Sequence, residues 1–355
     1  MDPKLWGSEQ STEDDAPRIG VDLGHHETRV VLPPVREGSG DTVLRFPTVV
    51  GYSRAEAAPI EFSCAGARAL ERRDHLRLVR PLELSEAEGR DSMRDFARHL
   101  RKLCGRRWPD GAWAVINCSP TATPDEQTLR RVFAGELFDR FLLADDTFLL
   151  ALGLGSQEIS SRSVVVDFGE TSIGAAQIRG KEPTPEERVE VRFAGASVSK
   201  AFEQSFRQRY PELLLTDQTL KDIKEALSFT APEERELVLK IEFRGAEKEV
   251  DVTDLVQAAC QRVLPPLGKA IRSILAKCPS DEVETFQKNI VLAGGGASIP
   301  GLAQHLEADL RADGFEQARI YVPDDPTVAV ALGAACWGRL LPEKEWGIPL
   351  FSIGG

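Results

Sequence analysis

Two stretches of the chain share one hydrophobic pattern and lie about half a molecule apart. Residues 19–24 read Ile-Gly-Val-Asp-Leu-Gly, and residues 164–169 read Val-Val-Val-Asp-Phe-Gly. Each is an apolar, largely β-branched run that ends in Asp-x-Gly, so Asp22 matches Asp167 and Gly24 matches Gly169. A second apolar stretch follows each, at 28–32 and at 175–178. A strand, a tight turn and a returning strand fit both segments. A third buried-strand pattern, Ile-Val-Leu-Ala at 290–293, runs into Gly294, Gly295 and Gly296, and Pro300 suits the first turn of a helix.

Elsewhere the period changes from two to 3.6. Pro124 opens an amphipathic helix with Leu129, Val132, Phe133, Leu137 and Phe141 at helical spacing. Residues 114–118 read as a core strand, 202–210 and 219–227 as helices, and 238–243 as a strand. A long helix follows Asp254, with Leu255, Val263, Leu267, Ile271, Ile274 and Leu275 on its buried side and a kink or split at Pro265-Pro266. Residues 328–341 form a helix that returns to the first half and makes a hinge with residues 156–162.

A chain of 355 residues is too long for one ordinary core and suits two linked domains. The pattern divides it into an acidic tail at 1–17, a first domain at 18–161 with a side subdomain at about 47–107, a second domain at 162–327 with a side subdomain at about 200–252, and a C-terminal segment at 328–355. Net charge of −12 argues against a sequence-independent nucleic-acid binder. No apolar run is long enough to span a membrane, and Leu5-Trp6, set among acidic neighbours, makes a poor membrane anchor. The six cysteines show no CxxC spacing, so free cytosolic thiols and a cytoplasmic location are expected, with no metal cluster.

Asp-x-Gly turns present backbone N–H groups that can hold phosphate, and the Asp can hold a hydrated metal ion. Two such hairpins half a molecule apart suggest a duplicated domain with a nucleotide clamped between its halves. In their order, the two hairpins and the glycine loop resemble the actin and heat-shock-chaperone ATPase superfamily, and most of all the MreB/MamK-like bacterial actins. The resemblance extends to residues 47–52, 80–82, 209–213, 224–229, 325–327 and 330–333.

That resemblance implies an α/β, actin-like ATPase fold, with two duplicated ribonuclease-H-like domains flanking a nucleotide cleft. It implies ATP or ADP with Mg2+ as cofactors. Asp22 and Asp167 would hold water around the metal on the β- and γ-phosphates. Gly24, His25, His26 and Thr28 would form the first phosphate turn, and Gly169, Glu170 and Thr171 the second. Lys224 and Ser228 would face the adenosine, and Gly294, Gly295 and Gly296 would lie against adenine and ribose. Asp146, with Asp167, would be catalytic and orient the attacking water. The implied partners are further copies of the chain in head-to-tail filaments, together with a bacterial cytoskeletal adaptor.

Three departures from the family pattern temper this picture. Glu27, about 5 Å from a phosphate, would cost on the order of 3 kcal/mol at an effective dielectric near 20. That weakens affinity roughly a hundredfold unless Mg2+, a histidine or a turned-away side chain relieves it. A protonated His25 or His26 would make binding pH-sensitive, although both also suit simple turn filling. Adjacent strand residues point to opposite faces, so the pair makes no zinc site. Thr171 is β-branched and disfavours positive φ, so either the turn rearranges through Gly174 or the γ-phosphate is held less closely. Asp146 stands where relatives have Glu; its carboxylate falls about 1.5 Å short, a misplacement worth roughly a hundredfold in rate. ATP binding with slow hydrolysis is therefore expected. A degenerate, nucleotide-independent scaffold is the alternative, and a monomeric small-molecule kinase is a third option.

Overall fold

The repeated hydrophobic pattern folds as a repeated sheet. The structure, a computed structural model, describes residues 16–34, 40–54, 61–156, 159, 161–230, 236–243 and 245–346. Most of the acidic tail, with Leu5-Trp6, lies outside the described residues, as does part of the 156–162 segment. The chain divides into two units: residues 1–161, 180–182 and 327–355, and residues 162–179 and 183–326.

In the first unit β1 (Arg18–Leu23), β2 (Glu27–Leu32) and β3 (Thr42–Pro47) are followed by a small antiparallel sheet of β4 (Val50–Ser53), β5 (Phe62–Ala65) and β6 (Leu76–Val79). The chain then returns as β7 (Trp113–Asn117) and β8 (Arg140–Ala144), and the main sheet has the order β3-β2-β1-β7-β8. The β1–β2 and β2–β3 pairs are antiparallel, and β7 and β8 add in parallel. Strands of this kind are covered on both faces, hence their continuous apolar runs. Ile19, Val21 and Leu23 pack with Met93, Phe96, Leu100 and Phe133, while Val31 meets Ala331 and Ala335 of the helix Ala329–Leu340.

Glycines let that helix come close. A Cβ on Gly20 would lie 2.2 Å from the Ala331 carbonyl oxygen, and one on Gly333 would lie 1.7 Å from that of Leu149, in the helix Asp146–Gly153. Both obstacles are backbone, so no rotamer change relieves them. Gly333→Ala should cost about 3 kcal/mol, the upper end of ordinary overpacking; urea unfolding checks this, and a variant within about 0.5 kcal/mol of the parent would refute the backbone-contact account.

The second unit repeats the plan. Strands β9 (Ser163–Phe168), β10 (Ile173–Ile178) and β11 (Arg188–Val191) precede a hairpin of β12 (Val238–Phe243) and β13 (Ala246–Asp251), and β14 (Ile290–Ala293) and β15 (Ile320–Tyr321) complete the sheet. Its order is β11-β10-β9-β14-β15, with two antiparallel and two parallel pairings in the same sequence as in the first unit.

Two helical expectations change. The helix opened by Pro124 ends at Leu137, and Phe141 lies in β8, because Asp139 N–H donates to Ala112 O and draws the chain into the sheet. The long helix after Asp254 is split into Thr253–Gln261 and Leu264–Leu275, with the prolines in the first turn of the second piece, where a missing N–H is tolerated.

Candidate functional site

The two Asp-x-Gly turns close identically. Gly24 N–H donates to Glu27 O at 3.2 Å, and Gly169 N–H donates to Ser172 O at 3.0 Å. A Cβ on Gly24 would lie 2.6 Å from the Glu27 oxygen it donates to, and one on Gly169 would lie 3.2 Å from that of Ser172. Neither glycine has positive φ. Close backbone approach, and not a left-handed conformation, excludes a side chain at Gly24 and crowds one at Gly169.

Beneath the first turn lies a polar strut that the sequence patterns did not single out. Arg130, 3% exposed, donates from Nη1 to Leu23 O (2.6 Å), Asn117 O (3.0 Å) and Asn117 Oδ1 (3.2 Å), and from Nη2 to Glu126 (2.7 Å). Asn117 Oδ1 also accepts from Leu23 N–H at 2.6 Å. Burial opposes the charge of Arg130, the carboxylates Glu126 and Asp146 favour it, and its pKa is raised. Burial pushes the neighbouring Cys118 thiol up to about 12, which leaves it protonated and unreactive. The available signal was an arginine on the apolar stripe of Leu129, Phe133 and Leu137.

The strand register places Asp22 opposite Arg29, and their side chains pair at 2.9 Å. Arg29 also holds Glu27 at 2.7 Å, and Arg45 approaches the same Glu27 oxygen at 3.6 Å. The repulsion expected between Glu27 and a phosphate is thus met by two arginines, and neither histidine is needed for it. His26 O accepts from Thr48 N–H (2.9 Å) and His25 O from Arg80 (3.4 Å), which fixes both residues in the turn through their backbones. Thr28 is placed differently from its neighbours. It is wholly buried and its hydroxyl meets that of Thr48 at 2.8 Å, because it points to the opposite face of β2 from Glu27 and Arg29. The Thr28 hydroxyl is thus engaged inside the unit.

Asp145 and Asp146 divide the work at the end of β8. Asp145, almost fully buried, caps the helix Asp146–Gly153 by accepting from Phe148 N–H at 2.9 Å and from the Thr147 hydroxyl. Asp146 is half-buried in the first helical turn, and its charge acts on Arg130 and Cys118.

In the second unit, Gly195 and Ala196 at the start of the helix Gly195–Arg209 donate their N–H groups to Gly169 O (3.2 Å) and Glu170 O (2.8 Å). The Glu170 carboxylate pairs with Lys221 at 2.5 Å. A helix N-terminus and a lysine thus converge on the turn, and both favour anions. Thr171 is exposed, and Gly174 lies within β10 opposite Asp167 and Glu190, so no rearrangement runs through Gly174. Lys224 is buried. Burial pushes its pKa down, while Glu225 and Glu170 partly restore it. The Ser228 hydroxyl donates to Lys224 O at 2.6 Å and finishes the helix Asp217–Leu227.

The glycine triplet has two jobs. A Cβ on Gly294 (φ +84°) would fall 2.5 Å from Asp167 Oδ1, and one on Gly296 would fall 2.3 Å from the Phe168 ring. These two let the loop close over the end of β9; Gly295 alone faces open space.

Asp22 and Asp167 offer hard carboxylate oxygens. Among the described residues no group of three or more His, Cys, Asp or Glu is placed to hold a metal by itself. Each aspartate, within its own unit, is the kind of donor Mg2+ accepts, a single carboxylate to be completed by phosphate oxygens and water, and neither fits a metal caged by protein.

Comparison with known proteins accords with this geometry. The sequence model of the MreB/Mbl protein family matches residues 16–342. A MamK-like protein of Paramagnetospirillum magneticum is 28% identical over 338 residues, covering 93% of this chain and 96% of that protein. Among solved structures, the MamK double helical filament aligns with a TM-score of 0.79 at 26% identity, over 92% of this chain and 100% of that one. A non-polymerising MamK mutant bound to AMPPNP aligns with a TM-score of 0.64 at 25% identity, over 91% and 98%.

Proposed function

The chain belongs to the MreB/Mbl family and has its actin-like fold, and on that premise we propose that it is a cytoplasmic, actin-like cytoskeletal protein that binds ATP with Mg2+ and polymerises head to tail. The observation that carries this is the matched pair of turns, each closed by the same N–H to O bond, each preceded by an aspartate, and each served by a cation, Arg29 or Lys221. Mg2+, held through Asp22 and Asp167, would neutralise the phosphates. Gly24 and Gly169 admit the phosphates to the backbone, Arg130 fixes the first turn, and the helix start at Gly195 fixes the second. Asp146, short by one methylene, would orient water poorly, so hydrolysis is slow and binding outlasts it. Head-to-tail contacts are heterologous and give open filaments. Their partners are copies of the same chain and a cytoskeletal adaptor. Net charge of −12 tells against nucleic acid.

High-speed pelleting with electron microscopy, in ATP·Mg2+, ADP·Mg2+ and EDTA, tests this reading. Filaments that depend on ATP·Mg2+, with a thermal shift from the nucleotide, are expected. Polymer of equal amount in all three conditions, with no shift, would replace it with a nucleotide-independent scaffold.

A further inference from the structure

The C-terminal end of the helix Glu86–Cys104 carries a basic, partly apolar ridge on an otherwise acidic chain. The helix buries positions 89, 92, 93, 96, 97, 100 and 104. Flanking that stripe, His99, Lys102 and Leu103 form an i, i+3, i+4 row, and the chain continues past Gly105 into Arg106 and Arg107. Leu103 is 50% exposed, and Phe62, 38% exposed, places its ring 5.8 Å from His99. Burial pushes the pKa of His99 down, and Lys102 and Arg68 push it further, which marks a positive local potential. Arg94 and Arg98, further back on the helix, pair with Glu136. Among the described residues, Arg68, Lys102, Arg106 and Arg107 form no ion pair.

The first fifteen residues have the complementary chemistry. They hold Asp2, Glu9, Glu13, Asp14 and Asp15 against the single Lys4, together with Leu5-Trp6. They also join the unit close to the ridge. Trp113 N–H donates to Pro17 O at 2.9 Å, and Asp110, three residues earlier, pairs with Arg101 of the same helix at 3.3 Å. Three residues span about 10 Å, and fifteen reach about 50 Å when extended, enough to cover the whole ridge.

We propose that the acidic segment 1–15 docks in cis on this ridge, with its carboxylates on Lys102, Arg106 and Arg107 and Trp6 against Leu103. Exposed ion pairs are individually weak, but a short tether raises the effective concentration to about millimolar, so several such pairs suffice without a preformed groove. Docking would neutralise the basic face and cover its apolar residues.

Zero-length carbodiimide cross-linking of the full chain, followed by peptide mass spectrometry of the monomer band, tests the proposal. The expected product is an amide between Lys102 and Glu9, Glu13, Asp14 or Asp15. Its yield should fall roughly tenfold as salt rises toward about 1 M, where the screening length is about 3 Å. Deleting residues 2–15 should raise acetylation of Lys102 several-fold, and Arg106→Glu with Arg107→Glu should cut the conjugate in a chain that keeps its melting temperature. A monomer without the conjugate, or a conjugate confined to the dimer band, would overturn docking in cis. Co-sedimentation of the full chain with anionic phospholipid vesicles, lost on Lys102→Glu, would assign the ridge to a lipid surface and overturn the proposal as well.

Discussion

Arg130→Met is expected to lower the unfolding free energy by about 3 kcal/mol and to loosen the first turn. The guanidinium is buried and serves two backbone carbonyls, the Asn117 amide oxygen and Glu126. Methionine fills much of the volume but makes none of these bonds; the Leu23 and Asn117 carbonyl oxygens lose the guanidinium, while Asn117 Oδ1 keeps only the Leu23 N–H. Breaking a buried pair by removing one partner costs about 3–5 kcal/mol; the lower end applies because the Glu126 side chain keeps 16% exposure and can rehydrate. Lysine keeps the charge but lacks the fork, so Arg130→Lys should fall between the two. Arg94→Met is the control. Its partners Asp91 and Glu136 lie on the surface, and such a pair contributes less than about 1 kcal/mol. Urea unfolding of the three variants ranks them, and equal losses for Arg130→Met and Arg94→Met would remove the strut from the account of the turn.

The strut also shows which parts of the site were legible in the sequence. Strands β1 and β9 and their turns could be read because local constraints write them: apolar runs, then Asp, then a glycine that backbone approach demands. The roles of Arg29, Asn117 and Arg130 are set by register and packing between segments distant in sequence. Arg29 faces Asp22 only once β1 and β2 pair, and Arg130 reaches Leu23 across 107 positions. The same reason governs Thr28. Its place in the motif suggested a phosphate contact, but strand alternation turns it inward to Thr48. Glu27 looked like an obstacle for as long as it was counted alone, and becomes part of a balanced cluster once Arg29 and Arg45 are placed beside it. The glycine triplet shows the same limit from another side. Three identical residues suggested one role, whereas Asp167 and Phe168 occupy the space beside two of them.

Asp167→Asn is expected to raise the Mg2+ concentration needed for half-maximal stabilisation by ATP about 10–100-fold, the usual cost of losing a group that orients a metal's ligands. Asparagine has the size of aspartate, so the close contact with Gly294 survives and melting without nucleotide should change little. The effect therefore appears only in the nucleotide-linked shift and in the Mg2+ dependence of pelleting. Asp22→Asn should do less. Arg29 keeps Glu27 as a partner after that change, and its charge, no longer shared with Asp22, can meet the phosphates directly. The two aspartates, equivalent by motif, are thus unequal by environment, because one faces an arginine across a strand pair and the other is backed by the glycine loop. Titrating Mg2+ against the ATP-induced thermal shift for both variants measures that asymmetry. Equal displacement of the two midpoints would place Arg29 outside the phosphate site, and an unchanged Asp167→Asn midpoint would remove the second turn from nucleotide binding.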